Sequence, residues 1–119
     1  MQAGRLTTHV LDTARGRPGS GIAVSLYRVT GNSHKKIAEA VTNDDGRTDA
    51  PILEGQAFKT GSYEMIYFVG DYLRAAGLAT EDVLFLDQIP IRFGINDASS
   101  HYHVPLLLSP YGYSTYRGS

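Results

Sequence analysis

Ile22-Ala23-Val24-Ser25-Leu26-Tyr27-Arg28-Val29 alternates along its length, and Gly31-Asn32-Ser33 breaks it. Extended side chains point alternately to opposite faces, so Ile22, Val24 and Leu26 share one face while Ala23, Ser25 and Tyr27 share the other. The same rhythm recurs on both sides of this segment. Upstream, Leu6 to Asp12 is β-rich and runs into Thr13-Ala14-Arg15-Gly16-Arg17-Pro18-Gly19-Ser20-Gly21, whose proline and glycines predict a turn or loop. Downstream, Lys36 to Val41 reads as a short strand, and Asn43-Asp44-Asp45-Gly46 as a tight turn with positive φ at its glycine. Ser62 to Val69, rich in Tyr, Ile, Phe and Val, is the clearest strand. Ile89 to Ile95 and Tyr102 to Leu108 follow. Pro90 and Pro105 inside them belong at an edge, an end or a bulge. Gly112 to Arg117 is a last, polar strand.

Asp71 to Ala76 departs from this pattern. Asp71 is placed to cap a short helix, Leu73 and Ala76 to share a face, and Gly77 to end it. Gly77 to Gln88 carries no clear signal. About eight short strands and one short helix, separated by Gly, Pro, Asn and Asp clusters, define an all-β sandwich or barrel.

Bulk composition narrows the function. A chain of 119 residues suits one domain, 1–119, able to bury roughly two-thirds of its unfolded surface without covalent staples. With 42% hydrophobic and 19% charged residues it is a globular composition. A net charge of -1 leaves no electrostatic footprint for nucleic acid or an anionic membrane. The absence of cysteine excludes disulfides, thiolate catalysis and cysteine-held metals. No apolar run approaches a membrane span, and no apolar signal region follows Met1 to Arg5, so the expectation is a soluble, cytoplasmic protein.

Histidines and the tail carry what chemistry is legible. His9 shares a strand face with Thr7 and Leu11; by itself it reads as structural more often than as functional. His101 and His103, two apart, point to one face whose other members are Pro105 and Leu107, an odd setting for two imidazoles unless they line a cavity. Such a pair with a third histidine is one way to hold zinc. No carboxylate stands nearby to orient them, and Arg47 in the same pocket would repel a cation, so neither metal nor cofactor is expected. His34, in Gly31-Asn32-Ser33-His34-Lys35-Lys36, reads as a solvated loop residue. Arg47 is either a surface charge or a planar fork for a carbonyl, oxyanion or anionic heterocycle. Asp44 and Asp45 read as turn formers. Tyr111 to Ser119 alternates to its last residue, so the tail is expected to dock with Tyr116, Ser119 and the terminal carboxylate toward a pocket.

Three segments together resemble the 5-hydroxyisourate hydrolases, the transthyretin-related enzymes. Leu6-Thr7-Thr8-His9-Val10-Leu11-Asp12 is similar to their opening motif, and Thr42-Asn43-Asp44-Asp45-Gly46-Arg47 to their central one. His101-Tyr102-His103-Val104-Pro105-Leu106-Leu107-Leu108-Ser109-Pro110, followed by Tyr111-Gly112-Tyr113-Ser114, resembles their long C-terminal motif. Tyr116-Arg117-Gly118-Ser119 resembles the terminal tetrapeptide that separates these hydrolases from hormone-carrying transthyretin. The resemblance implies a transthyretin-like sandwich of two four-stranded sheets with a short helix after the fifth strand. It also implies a homotetramer, a dimer of dimers with active sites in a central channel. His9, His103 and Ser119 become the catalytic candidates, and Arg47, Tyr116 and Arg117 the substrate-binding ones; His101 carries over less directly.

The reaction so implied is hydrolysis of 5-hydroxyisourate, an unstable product of urate oxidation. Water attacks a ring carbonyl and an amide C–N bond opens. This requires a base for water, donors for the oxyanion and a proton for the departing nitrogen. Imidazoles titrate in the right range, and a guanidinium suits the oxyanion. Two other readings use the same fold: a ligand carrier that does not hydrolyse, and a purely structural interaction module. Turnover of 5-hydroxyisourate discriminates among the three.

Overall fold

The computed structural model describes residues 4–118. In chain order the elements are β1 (Arg5–Asp12), β2 (Arg17–Pro18), β3 (Ala23–Thr30), β4 (Ser33–Val41), β5 (Leu53–Glu54), β6 (Gly61–Phe68), α1 (Gly70–Ala75), β7 (Gln88–Ile95), β8 (His101–Ser109) and β9 (Gly112–Thr115). They form two sheets. One runs β4-β3-β6-β7, antiparallel throughout. The other runs β2-β1-β8-β9, with β5 also paired to β1. The all-β, transthyretin-like sandwich with one short helix is what the sequence predicts. The second sheet is five-stranded rather than four-stranded, because the two-residue strands β2 and β5 both pair with β1. Neither carries enough alternation to be visible in sequence.

The apolar face is read correctly: Ile22, just before β3, and Val24 and Leu26 within it are fully buried, and Ser25 on the opposite face is buried too. Ile22, Val24 and Leu26 pack between the sheets with Leu6 and Val10 of β1, Tyr63, Met65 and Tyr67 of β6, and Leu106 and Leu108 of β8. The register with β4 shifts between Leu26 and Tyr27: Leu26 pairs with Ala38 and Tyr27 with Lys36, so Ile37 is the extra residue and the edge strand β4 carries the irregularity. A polar pin crosses this core. The Thr8 hydroxyl lies 2.8 Å from Tyr67 Oη and donates to the Val104 carbonyl at 2.7 Å. It ties β1 and β8 to β6 from the inner side, and burial pushes the Tyr67 phenol far above its ordinary range.

Three local expectations change. His34 is not in a loop: β4 begins at Ser33, and the His34 ring stacks on Tyr27 at 4.1 Å with Nε2 2.8 Å from Glu64. Cross-strand pairing with β3 overrides the polar composition of this edge strand. The helix starts one residue earlier, at Gly70, with Val69 as an N-cap that lacks a side-chain bond, so Asp71 lies in the first turn instead. Gly77, at φ 70°, does end it. Pro90 sits on the edge strand β7, as expected. Pro105 lies in β8, between β1 and β9. Its carbonyl accepts a bond from the Thr115 hydroxyl at 2.7 Å, one position past Leu106↔Thr115, where the β8–β9 ladder ends. The missing N–H falls where the ladder has already stopped.

Candidate active site

β1 pairs with β8 in parallel, the first long strand beside the last. The register sets Arg5 opposite His101, Thr7 opposite His103 and His9 opposite Pro105. In both strands the inner residues are buried and these outer ones are mostly half-buried. Period two therefore collects Arg5, Thr7, His9, His101 and His103 on one outer face. The His9 and His103 rings lie 6.3 Å apart, near parallel, and His101 stands edge-on to His103 at 6.2 Å. Thr7 Oγ1 is 2.6 Å from His101 Nε2 and 2.8 Å from His103 Nδ1. Thr7 is a member of the site that residue type alone does not reveal. Its shared face with His9 is legible in sequence, but its pairing with β8 is not.

Arg47 reaches this face along the free edge of β1. β5 pairs at Arg5 and Leu6, β2 pairs at Leu11 and Asp12, and between them Arg47 bridges to His9. The turn from Asn43 delivers it. Asn43 Oδ1 accepts the Asp45 and Arg47 amides, and the Asn43 amide donates to the Arg47 carbonyl at 2.7 Å. Gly46 seals the junction: φ is 75°, its carbonyl accepts the Val10 amide at 2.8 Å, and a Cβ there would stand 2.4 Å from the Val10 oxygen. Only glycine satisfies both demands. Asp44 and Asp45 are exposed members of the turn, as expected.

The tail docks. β9 pairs with β8 up to Thr115, and Gly118 then returns to donate its amide to the His103 carbonyl at 2.7 Å. A Cβ on Gly118 would come within 2.8 Å of His103 Cδ2, so the tail lies flat against that ring. The strand is shorter than the predicted Gly112 to Arg117. Tyr116 is exposed, and the Arg117 guanidinium stacks 4.0 Å from the Tyr102 ring centre. Ser119, the remaining catalytic candidate, lies outside the described residues.

His9, Arg47, His103, Tyr116, Arg117 and Gly118 together line an open cleft of about 760 Å³. A second cleft of about 340 Å³ adjoins it. It shares Arg47 and His103 as a wall and is lined further by Arg5, Thr7 and His101. Burial lowers the pKa of His9, and Arg47 lowers it further. His103 is lowered by burial, then by Arg47, His9 and His101. His101 is lowered by burial and by Arg5. All three effects favour neutral rings, the form that accepts a proton. Among the described residues no group of three or more His, Cys, Asp or Glu side chains converges as a metal site would require.

A two-sheet sandwich that carries a histidine–arginine cleft on one outer face defines a transthyretin-like protein. The chain belongs to the HIUase/Transthyretin family, whose sequence profile matches residues 6–118. Its relatives carry a particular name. It is 59% identical to 5-hydroxyisourate hydrolase 2 of Rhizobium meliloti over 99% of this chain and 98% of that one. It is 57% identical to 5-hydroxyisourate hydrolase of Pseudomonas aeruginosa over 98% and 92%. Among solved structures, Klebsiella pneumoniae 5-hydroxyisourate hydrolase matches with a TM-score of 0.78 at 34% identity, covering 100% of both chains. A crystal structure of (S)-allantoin synthase matches with a TM-score of 0.93 at 46% identity; it covers 99% of this chain, which spans 44% of that one.

Proposed function

We propose that the 1–119 chain works as one hydrolase domain that opens 5-hydroxyisourate at the cleft between His9, Arg47 and His103. The observation that carries this reading is the convergence of the three on one outer face, from β1, the central turn and β8, in a chain so similar to named hydrolases. Water adds across the amide C–N bond. Its oxygen bonds to the carbonyl carbon, a neutral imidazole takes one of its protons, and a proton returns to the departing nitrogen. Arg47 faces the developing oxyanion and holds the substrate through its carbonyl groups. Tyr116 and Arg117 form the outer rim, and Ser119 is a further catalytic residue in this proposal.

The same proposal includes assembly and location. Sheet edge β4 carries Lys35, Lys36 and Glu39, charges that oppose pairing with another chain. The edge strand β9 has no charged residue, and Tyr111, Tyr113 and Tyr116 are exposed on or beside it. A homotetramer, two dimers enclosing the histidine face as a channel, buries such surface. No helix among the described residues is long and apolar enough to cross a membrane. A cytoplasmic site of action is part of the proposal and is tested by cell fractionation.

Incubation with freshly generated 5-hydroxyisourate, followed by its ultraviolet absorbance, tests the activity. The chain should remove substrate well above the spontaneous rate. His9→Asn and His103→Asn should each lower that rate roughly 10²-fold or more. A rate equal to the spontaneous one would overturn the reading. Sedimentation should show a tetramer, and a fully active monomer would sink the proposed channel.

A further inference from the structure

Thr7, on the outer face of β1, is a polar side chain that the proton chemistry above leaves unused. Thr7 Oγ1 bonds to two imidazoles at once, His101 Nε2 at 2.6 Å and His103 Nδ1 at 2.8 Å. A hydroxyl has a single proton to donate. With both rings neutral, Thr7 donates to one nitrogen and accepts N–H from the other. The two tautomers are therefore complementary: when His103 carries its proton on Nδ1, His101 presents a bare Nε2, and the reverse arrangement inverts both. In the arrangement where the Thr7 hydroxyl donates to His101 Nε2, His103 Nδ1–H donates to Thr7 and His103 Nε2 stays bare.

We propose that Thr7, backed by His101, is a positioning residue that holds His103 in its Nδ1–H tautomer and leaves the Nε2 lone pair free to take a proton from water. This rests on the hydrolase reading above and deepens it, because it assigns the base among the two candidate histidines. The logic is that of an oriented imidazole: the nitrogen that reacts is decided by the bond made at the other nitrogen. Here the orienting group is a hydroxyl, which works in either direction, so a second acceptor must claim its proton. His101 is that acceptor. Without it, Thr7 is free to donate to His103 Nδ1 and turn Nε2 into a donor. The outer face sets this pair beside Arg5, His9 and Arg47; the cleft's one carboxylate, Asp49, is bonded by the Asn43 side chain, and Asp12 of β1 is buried and held by Arg15 and Tyr72, so neither bonds the two rings. A hydroxyl orients the ring there without adding a charge.

The tautomer is read in the resting protein, without substrate, from nitrogen-15 spectra of labelled histidine at a pH where the rings are neutral. His103 is assigned by the signals lost in His103→Asn. The unmodified protein should show His103 protonated on Nδ1 alone. Thr7→Val, close to isosteric, and His101→Phe should each give a mixture that contains the Nε2–H form. In the same variants kcat should fall at least about fivefold while KM stays within about twofold, since the tautomer matters to the chemical step more than to binding. Thr7→Ser, which keeps the hydroxyl, should restore both the spectrum and most of the rate. An unmodified protein with His103 protonated on Nε2 would overturn the inference. So would a Thr7→Val protein that keeps both the original spectrum and the original kcat. Failure of the unmodified chain to hydrolyse 5-hydroxyisourate is a separate result, because it refutes the activity without touching the spectra.

Discussion

Gly118→Ala tests whether the docked tail is part of the site. An added Cβ would stand 2.8 Å from His103 Cδ2 and 3.2 Å from His103 Cβ. Carbon atoms attract at about 3.5 Å and beyond, so roughly 0.7 Å of separation must be found. Either the His103 ring swings away from Thr7, or the tail lifts from β8 and stretches the 2.7 Å bond between the Gly118 amide and the His103 carbonyl. Loss of that bond costs about 1 kcal/mol. A penalty of that size corresponds to about a fivefold fall in kcat/KM, at about 1.4 kcal/mol per tenfold. The fold should be nearly indifferent. β9 keeps its own ladder to β8 through Thr115, and a terminal segment frays without opening the domain. Even a full 1 kcal/mol would move Tm by no more than about 6 °C in a domain of this size. The assay is the absorbance decay of 5-hydroxyisourate at several concentrations, run beside a thermal melt. A variant that keeps full kcat/KM would show that contact between the tail and His103 has no part in catalysis. A melt lowered by far more than 6 °C, with activity lost in step, would make the tail structural instead.

Gly46→Ala should be more damaging, because the left-handed φ costs about 1–2 kcal/mol and the clash is with backbone that cannot rotate away. The turn would leave β1 and carry Arg47 with it, so kcat/KM should fall roughly 10²-fold, with a lowered Tm in the melt; a near-normal rate would refute the placement of Arg47 by this turn. The lowered pKa values of His9 and His103 set the sign of the pH dependence. The neutral rings persist below the ordinary value of about 6.5, so the acid limb of kcat/KM should have its midpoint below that pH, and a midpoint above it would contradict the reading. Stability follows the same sign. Between the lowered folded values and about 6.5 the unfolded chain binds more protons, so this contribution is complete above that pH and is lost as pH falls toward the folded values. Melts from about pH 7 to pH 5 should decline accordingly.

Much of this site is legible before any folding is considered. Alternation places His101 beside His103 on one strand face and Thr7 beside His9 on another. The Asp-Gly turn announces its positive φ, and Gly77 marks the end of the helix. These are local properties, set by backbone sterics and by the two-residue period of an extended chain. The family likeness adds the chemistry, because its motifs name the residues that matter. What local pattern lacks is partner choice. Nothing in the spelling of Leu6 to Asp12 says that it will lie parallel to His101 to Ser109. Nor does anything there say that two-residue strands will flank Arg47 on its edge, or that His34 will join a strand rather than a loop. Pairing is decided by which arrangement buries Leu6, Val10, Leu106 and Leu108 against β3 and β6 at once, a property of the whole core. That one choice sets Thr7 between two imidazoles from the far end of the chain and His9 against His103. Period two determines which way each side chain points, and only closure of the sandwich determines what it meets.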